Sequence, residues 1–218
     1  MAGKNILYIH GMGGGGDSRI PSILRTRLKV IRPDLKVIVR TYNFDPDIAM
    51  VQLDRWFDEL RPELVIGESL GANHALELLA DRSRNGEAFP LLLVSPATGA
   101  PKLFSSFAWV TRIPGVTSIL DRIFKPADGD RQKIHFSYGI MKNWKRHLGR
   151  ASEARGDIHA FFGKSDHYRK YGIVSPARWK RRFGESGMTL YDGTHYMEEP
   201  FIQTLLIPAI IAQNNLDA

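Results

Sequence analysis

Two short stretches of this chain carry residue types and spacings that can do chemistry. In VIGESLGANHALELLA, Gly67, Ser69 and Gly71 form G-x-S-x-G between an apolar run and an amphipathic one. A serine used as a nucleophile stands on a sharp strand-to-helix turn, where the strained backbone leaves no room for side chains two residues to either side. Glycine meets that demand. The helix after such a turn directs its N-terminus at the hydroxyl, so the amide of Leu70 can donate to a developing negative charge. The second stretch, NILYIHGMGGGG, runs an apolar segment into a glycine loop. Gly11, Gly13 and Gly16 satisfy G-x-G-x-x-G, the phosphate-cradling dinucleotide pattern, while His10-Gly11 opens a loop of the H-G-x-G-G kind that helps to hold an oxyanion. Spacing alone leaves both readings open.

The elements that must position these residues follow from hydropathy. Short runs rich in Val, Ile and Leu alternate with amphipathic stretches, the signature of βαβ units. Strands are predicted at 6–10, 36–42, 64–67, 91–95, 158–163 and 188–192. Their near-continuous hydrophobicity indicates a mostly parallel sheet covered by helices on both faces. Helical stripes recur at Ile20, Ile23, Leu24 and Leu28, at Met50, Leu53, Phe57 and Leu60, and at Ala72, Ala75, Leu76 and Leu79. Ser175 and Pro176 read as a helix start and Gly184 as its end, and Pro208 should kink the last helix. The interval 101–155 is longer than one crossover helix needs, so the expectation is one domain, 1–218, with 101–155 as a cap insertion. Within it, Ile119, Leu120, Ile123 and Phe124, and then Met141, Trp144 and Leu148, form apolar stripes that either pack on the main domain or line an acyl pocket.

Composition removes several classes. With 218 residues, 43% of them hydrophobic and no biased tract, the chain is ordinary globular protein. Zero cysteines exclude a disulfide framework, a thiol nucleophile and a thiolate metal site. No histidine pair has H-E-x-x-H spacing, so neither metal nor cofactor is expected. The apolar run near the N-terminus is too short for a signal-peptide core or a membrane span, which makes the cytoplasm the default location. The formal charge of +7 concentrates in KNWKRHLGRASEAR and ARWKRR. Such a balance attracts anions in general, and a solvated surface accounts for it without nucleic acid. Oligomeric state is not legible.

The order of these parts resembles the α/β-hydrolase superfamily over nearly the whole chain. In that family the oxyanion loop follows an early strand, and the triad comes in the chain order serine, acid, histidine. The resemblance implies an α/β-hydrolase fold with His10, Gly11 and Met12 as oxyanion loop, Ser69 as nucleophile between Gly67 and Gly71, Asp166 in FFGKSDHY as acid and His195 in YDGTHYM as base. The backbone amides of Met12 and Leu70 would then form the oxyanion hole. Asp192, three residues before His195, is the alternative acid. The activity so implied is a serine hydrolase that cleaves a carboxylic ester or thioester through an acyl-enzyme, since a neutral imidazole must take the proton of a poor serine nucleophile. The substrate is a small molecule, and the basic cap suits one that is anionic or borne on an acidic carrier. Two leading strands of larger members are absent, and the cap matches nothing closely.

Two rival readings compete. An NADP-type site would use the glycine loop with Arg40 and Thr41 at the end of the second strand, where an acidic residue would otherwise bind ribose. A basic binding module would use Lys142, Lys145, Arg146 and Arg150, or Arg178, Lys180, Arg181 and Arg182, together with Trp144 and Trp179, to hold RNA or anionic lipid. Of the remaining histidines, His74 reads as packing or solvent-facing and His167 as structural or pocket-lining.

Overall fold

The computed structural model describes residues 3–215. Six strands form one sheet in which every neighbouring pair is parallel: β1 (Lys4–Ile9), β2 (Leu35–Val39), β3 (Leu64–Glu68), β4 (Leu91–Val94), β5 (Ile158–Gly163) and β6 (Met188–Tyr191). Their order is β2-β1-β3-β4-β5-β6. The chain steps outward from β1 to β2 and then crosses back over β1 to β3. Crossovers therefore leave on opposite faces at the β1/β3 boundary and open a crevice beyond the strand ends. Ile9 of β1 pairs with Gly67 of β3, so the glycine loop and the serine turn emerge side by side there.

The period-2 alternation of strand side chains divides the core. Ile6, Tyr8, Leu64, Ile66, Leu92 and Val94 face α1 (Arg19–Ile31) and the C-terminal helix. Leu7, Ile9, Val65, Leu91 and Leu93 face α2 (Pro46–Leu60) and α3 (Gly71–Arg84). Local signals set the helix ends. Asp45 caps α2 through the Asp47 amide with Pro46 in the first turn, and Ser175 caps α7 (Pro176–Phe183), which stops at Gly184 with φ 80°. The last helix is α-helical at Glu199–Phe201, π at Ile202–Leu206 and α-helical again at Ile207–Asn215. The donor that Pro208 lacks is thus accommodated by a π segment immediately before it. No helix among the described residues is long and apolar enough to cross a membrane.

Between β4 and β5 the chain forms α4 (Ala100–Phe107), a 3-10 turn (Ala108–Arg112), α5 (Val116–Ile123) and α6 (Tyr138–Ala151). α6 packs against α3, with Met141, Trp144 and His147 buried. The His147 ring lies between two carboxylates: Nδ1 is 2.7 Å from Glu77 of α3 and Nε2 is 2.9 Å from Asp47 of α2. Burial opposes the charge on His147, but the two carboxylates outweigh burial and hold its pKa above the ordinary value. This ionic link makes α6 a layer of the core, and α3 is consequently buried almost all round. Trp144 and Trp179 are also buried, so neither is available to RNA or lipid. Arg146 is paired with Asp47, and Lys180 with Glu185.

His74 lies inside this layer, edge-on to Tyr42 and 4.9 Å from the Trp144 ring. Burial pulls its pKa down to about 3, helped by the nearby His147 and His10. Between about pH 6.5 and 3 the unfolded chain therefore binds a proton that the folded chain refuses. Stability contributed by neutral His74 is complete above that window and lost as pH falls through it, at up to about 1.4 kcal/mol per pH unit. Urea unfolding from pH 7 to 4 should show a shallower acid decline in His74→Phe than in the wild type; parallel curves would refute it.

Candidate active site

Ser69 follows β3 with φ 50°, a left-handed conformation that a residue with a Cβ holds only under constraint. Its backbone is pinned on both sides: the amide donates to Val94 O at 2.9 Å, and the carbonyl accepts from Ala97 N at 3.0 Å. The two flanking glycines are required by close approach. A Cβ on Gly67 would lie 2.8 Å from the Ala75 Cβ and 2.9 Å from the Ala72 Cα; one on Gly71 would lie 2.3 Å from the His10 carbonyl oxygen. The first turn of α3 thus rests directly on the end of β1. The next loop residues, Gly11 and Met12, line one cavity together with Ser69 and Leu70.

His195 and Asp166 come from the loops after β6 and β5. These loops interlock, with Ser165 N donating to Gly193 O at 3.0 Å and Lys164 N to Tyr191 O at 2.9 Å. Thr194 is held by Glu198 through both its amide and its hydroxyl. The result is a continuous hydrogen-bonded chain: Ser69 Oγ to His195 Nε2 is 2.8 Å, and His195 Nδ1 to Asp166 Oδ2 is 2.7 Å. The other Asp166 oxygen accepts from Tyr168 N at 2.8 Å, which fixes the carboxylate, and both Asp166 and His195 are buried. Asp192 does not reach the imidazole. It is exposed and paired with Lys164 at 2.9 Å, because the strand end points it outward.

The supporting residue His10 is buried, donates from Nδ1 to Gly11 O at 2.8 Å, and stacks on Tyr42 at 4.3 Å. The Tyr42 hydroxyl in turn donates to the His10 carbonyl at 2.6 Å. Burial lowers the His10 pKa to about 4, so the ring that braces this loop is neutral near pH 7.

The glycine loop is committed internally rather than open to a phosphate. Gly13 N donates to Gln132 Oε1, Gly14 N to Gly11 O and Gly15 N to Ser18 Oγ. Arg40 is engaged by Glu59 through two bonds at 2.7 and 2.5 Å. These partners occupy three of the loop amides and the Arg40 guanidinium, donors that a nucleotide site would use. No group of three or more His, Asp or Glu side chains among the described residues could hold a metal ion.

The cavity beside Ser69 has a volume of about 320 Å³, and its far wall is apolar: Ala97, Ala100, Leu103, Phe104, Phe124 and Ile173. A smaller cavity of about 190 Å³ adjoins it on the α1 side, lined by the glycine loop with Ser18, Arg19 and Arg131. The two share Gly11, Met12, Glu68 and Tyr196. Arg19 is tied to the carbonyls of Tyr196 and Met197, and Arg131 to Asp17. Glu68 is a site residue that sequence reasoning missed. Burial lifts its carboxyl above the ordinary range, partly offset by the Tyr8 hydroxyl, which donates to it at 2.8 Å. The available signal was an acidic residue ending a buried strand immediately before Ser69. Tyr168, whose ring lies edge-on to His195 at 4.6 Å, had no such signal, and it lines the cavity where His167 was a candidate.

No protein-family profile matches this sequence, and no curated protein sequence matches it. Solved structures do match in shape. Est1E from Butyrivibrio proteoclasticus, solved with ferulic acid bound, is similar with a TM-score of 0.66 and 12% identity over 96% of this chain and 89% of that one. A soluble variant of monoglyceride lipase from Saccharomyces cerevisiae gives 0.66 and 11% over 96% and 85%. A structure from work on LipS and LipT, two metagenome-derived lipolytic enzymes, gives 0.62 and 13% over 98% and 95%. The chain has the α/β-hydrolase fold.

The contact at Gly71 carries a direct test. Gly71→Ala forces its methyl group into the His10 carbonyl, and the strain should cost about 1–3 kcal/mol of stability. Denaturant unfolding measures it, and a midpoint equal to wild type would mean that β1 and α3 are not in this contact.

Proposed function

We propose that the protein is a serine hydrolase that cleaves a carboxylic ester, or the chemically related thioester, through an acyl-enzyme. The observation that carries this reading is the unbroken chain of hydrogen bonds from Ser69 through His195 to Asp166, with Ser69 and His195 lining a largely apolar cavity. The proton on Ser69 Oγ passes to His195 Nε2 as the oxygen attacks the carbonyl carbon. Asp166 holds the ring with its proton on Nδ1 and stabilises the imidazolium that forms. The amides of Met12 and Leu70 receive the oxyanion, where losing one such donor typically costs about 100- to 1000-fold in rate. The imidazolium then protonates the leaving oxygen or sulfur, and water repeats the sequence to release the acid.

The division between the two cavities supports an assignment of substrate parts. The acyl group occupies the apolar cavity under α4 and Phe124, which act as the cap over the site. The leaving group lies toward the polar cavity beside Arg19 and Glu68. In this reading, of the segment 101–155, α4 and the stretch through Phe124 serve the site, while α6 serves the core.

Hydrolysis of a short-chain p-nitrophenyl ester tests the reading. Ser69→Ala should lower kcat by about 10⁴-fold or more, and Asp166→Asn by about 10⁴-fold with little change in KM, because the imidazole then takes the wrong tautomer. Wild-type turnover in Ser69→Ala would end the proposal.

A further inference from the structure

Half of the large apolar side chains exposed among the described residues fall within 103–124; the others come singly or in pairs elsewhere. Phe107, Trp109, Ile113, Ile119 and Ile123 are 48–68% exposed. None of the residues of α5 is buried: Leu120 turns inward against the core, while Ile119 and Ile123, one turn apart, face outward. This surface is continuous with the lining of the cavity. Leu103 and Phe124 line the cavity and are themselves exposed, Phe107 lies one turn beyond Leu103, and Ile123 precedes Phe124. Packing within the fold does not explain such a concentration, and apolar surface rimmed by polar groups marks an interaction site.

The charged border points to the partner. Within 102–125 Lys102, Arg112, Arg122 and Lys125 are exposed against one acid, Asp121, and beyond that segment Asp128 beside Lys125 is matched by the exposed Lys133. The Asp121 carboxylate is already engaged by His135 and by the Phe136 amide. A helix with an apolar face, a basic border and a neighbouring tryptophan is built to lie in the plane of a lipid interface. A second copy of the chain fits less well, because a two-fold contact would set the basic rims against each other.

We propose that this face docks on an anionic lipid surface, with Trp109, Ile119 and Ile123 entering the boundary between headgroups and acyl chains and the four basic side chains meeting lipid phosphates. The cavity wall at Leu103 and Phe124 then lies at the lipid surface. The docking does not depend on Ser69 being a nucleophile, and its test reads binding alone.

The full chain is mixed with vesicles of phosphatidylcholine, alone or with about 30% phosphatidylglycerol, and bound protein is measured by sedimentation. Trp56, Trp144 and Trp179 are buried, so a blue shift of tryptophan emission on binding reports Trp109. Affinity for the mixed vesicles should exceed that for phosphatidylcholine by about tenfold or more and fall with added salt. Ile119→Ser/Ile123→Ser should weaken binding by about tenfold with an unchanged melting temperature, since both side chains are exposed. Arg122→Glu/Lys125→Glu should abolish the preference for the anionic lipid. The proposal is overturned by failure to bind mixed vesicles at low salt, by equal binding of the isoleucine double variant, or by a dimer that this variant dissolves without any vesicle binding.

Discussion

The arrangement of the candidate site depends on a contact between two pieces of backbone: the first turn of α3 and the end of β1. Gly71 lies so near the His10 carbonyl that no side chain fits between them. That contact fixes the direction in which the chain leaves β3 and forces Ser69 into its left-handed turn. It also brings the Gly11–Met12 loop to the same cavity as the serine. The arrangement is possible because β1 and β3 are neighbours at the point where the connections change sides. Sheet order therefore determines which loops can meet, and the glycines determine how closely.

A second constraint works from behind. Glu77 and His147 join α3 to α6 in the buried layer, and Asp47 extends the link to α2. Removing one member of such a pair leaves an uncompensated buried group, which is typically far more damaging than the net worth of the pair. The helix that begins just after Leu70 is thus held from both sides, by the sheet on one and by an ionic clamp on the other. Positive charge that looks unspent in the sequence is partly consumed here, as with Arg146 on Asp47.

Much of this was legible in the amino-acid sequence. Strand positions followed from apolar runs because both sheet faces are covered, and β5 is observed at the predicted 158–163, while β1 and β2 end earlier, at Ile9 and Val39. Gly67, Ser69 and Gly71 were readable because the turn geometry restricts residue type. The pairing of His195 with Asp166 rather than Asp192 required chain order and a family resemblance; neighbouring residues say nothing about a contact across 29 positions. The role of α6 was half readable: its stripe of Met141, Trp144 and Leu148 left packing on the main domain or lining an acyl pocket open. Its histidine and arginines resemble a solvated face, and only the tertiary partners Glu77 and Asp47 reveal it as core. Glu68 escaped notice for the same reason, since its meaning lies in Tyr8 and the two cavities it separates.

In the proposed mechanism one hydroxyl among the serines is activated, by an imidazole 126 positions away in the chain. Covalent labelling with a fluorophosphonate probe, followed by peptide mapping, addresses it directly. A single adduct should form at Ser69, and none when His195 is replaced by alanine. Labelling at another residue, or none at Ser69 in a correctly folded protein, would contradict it.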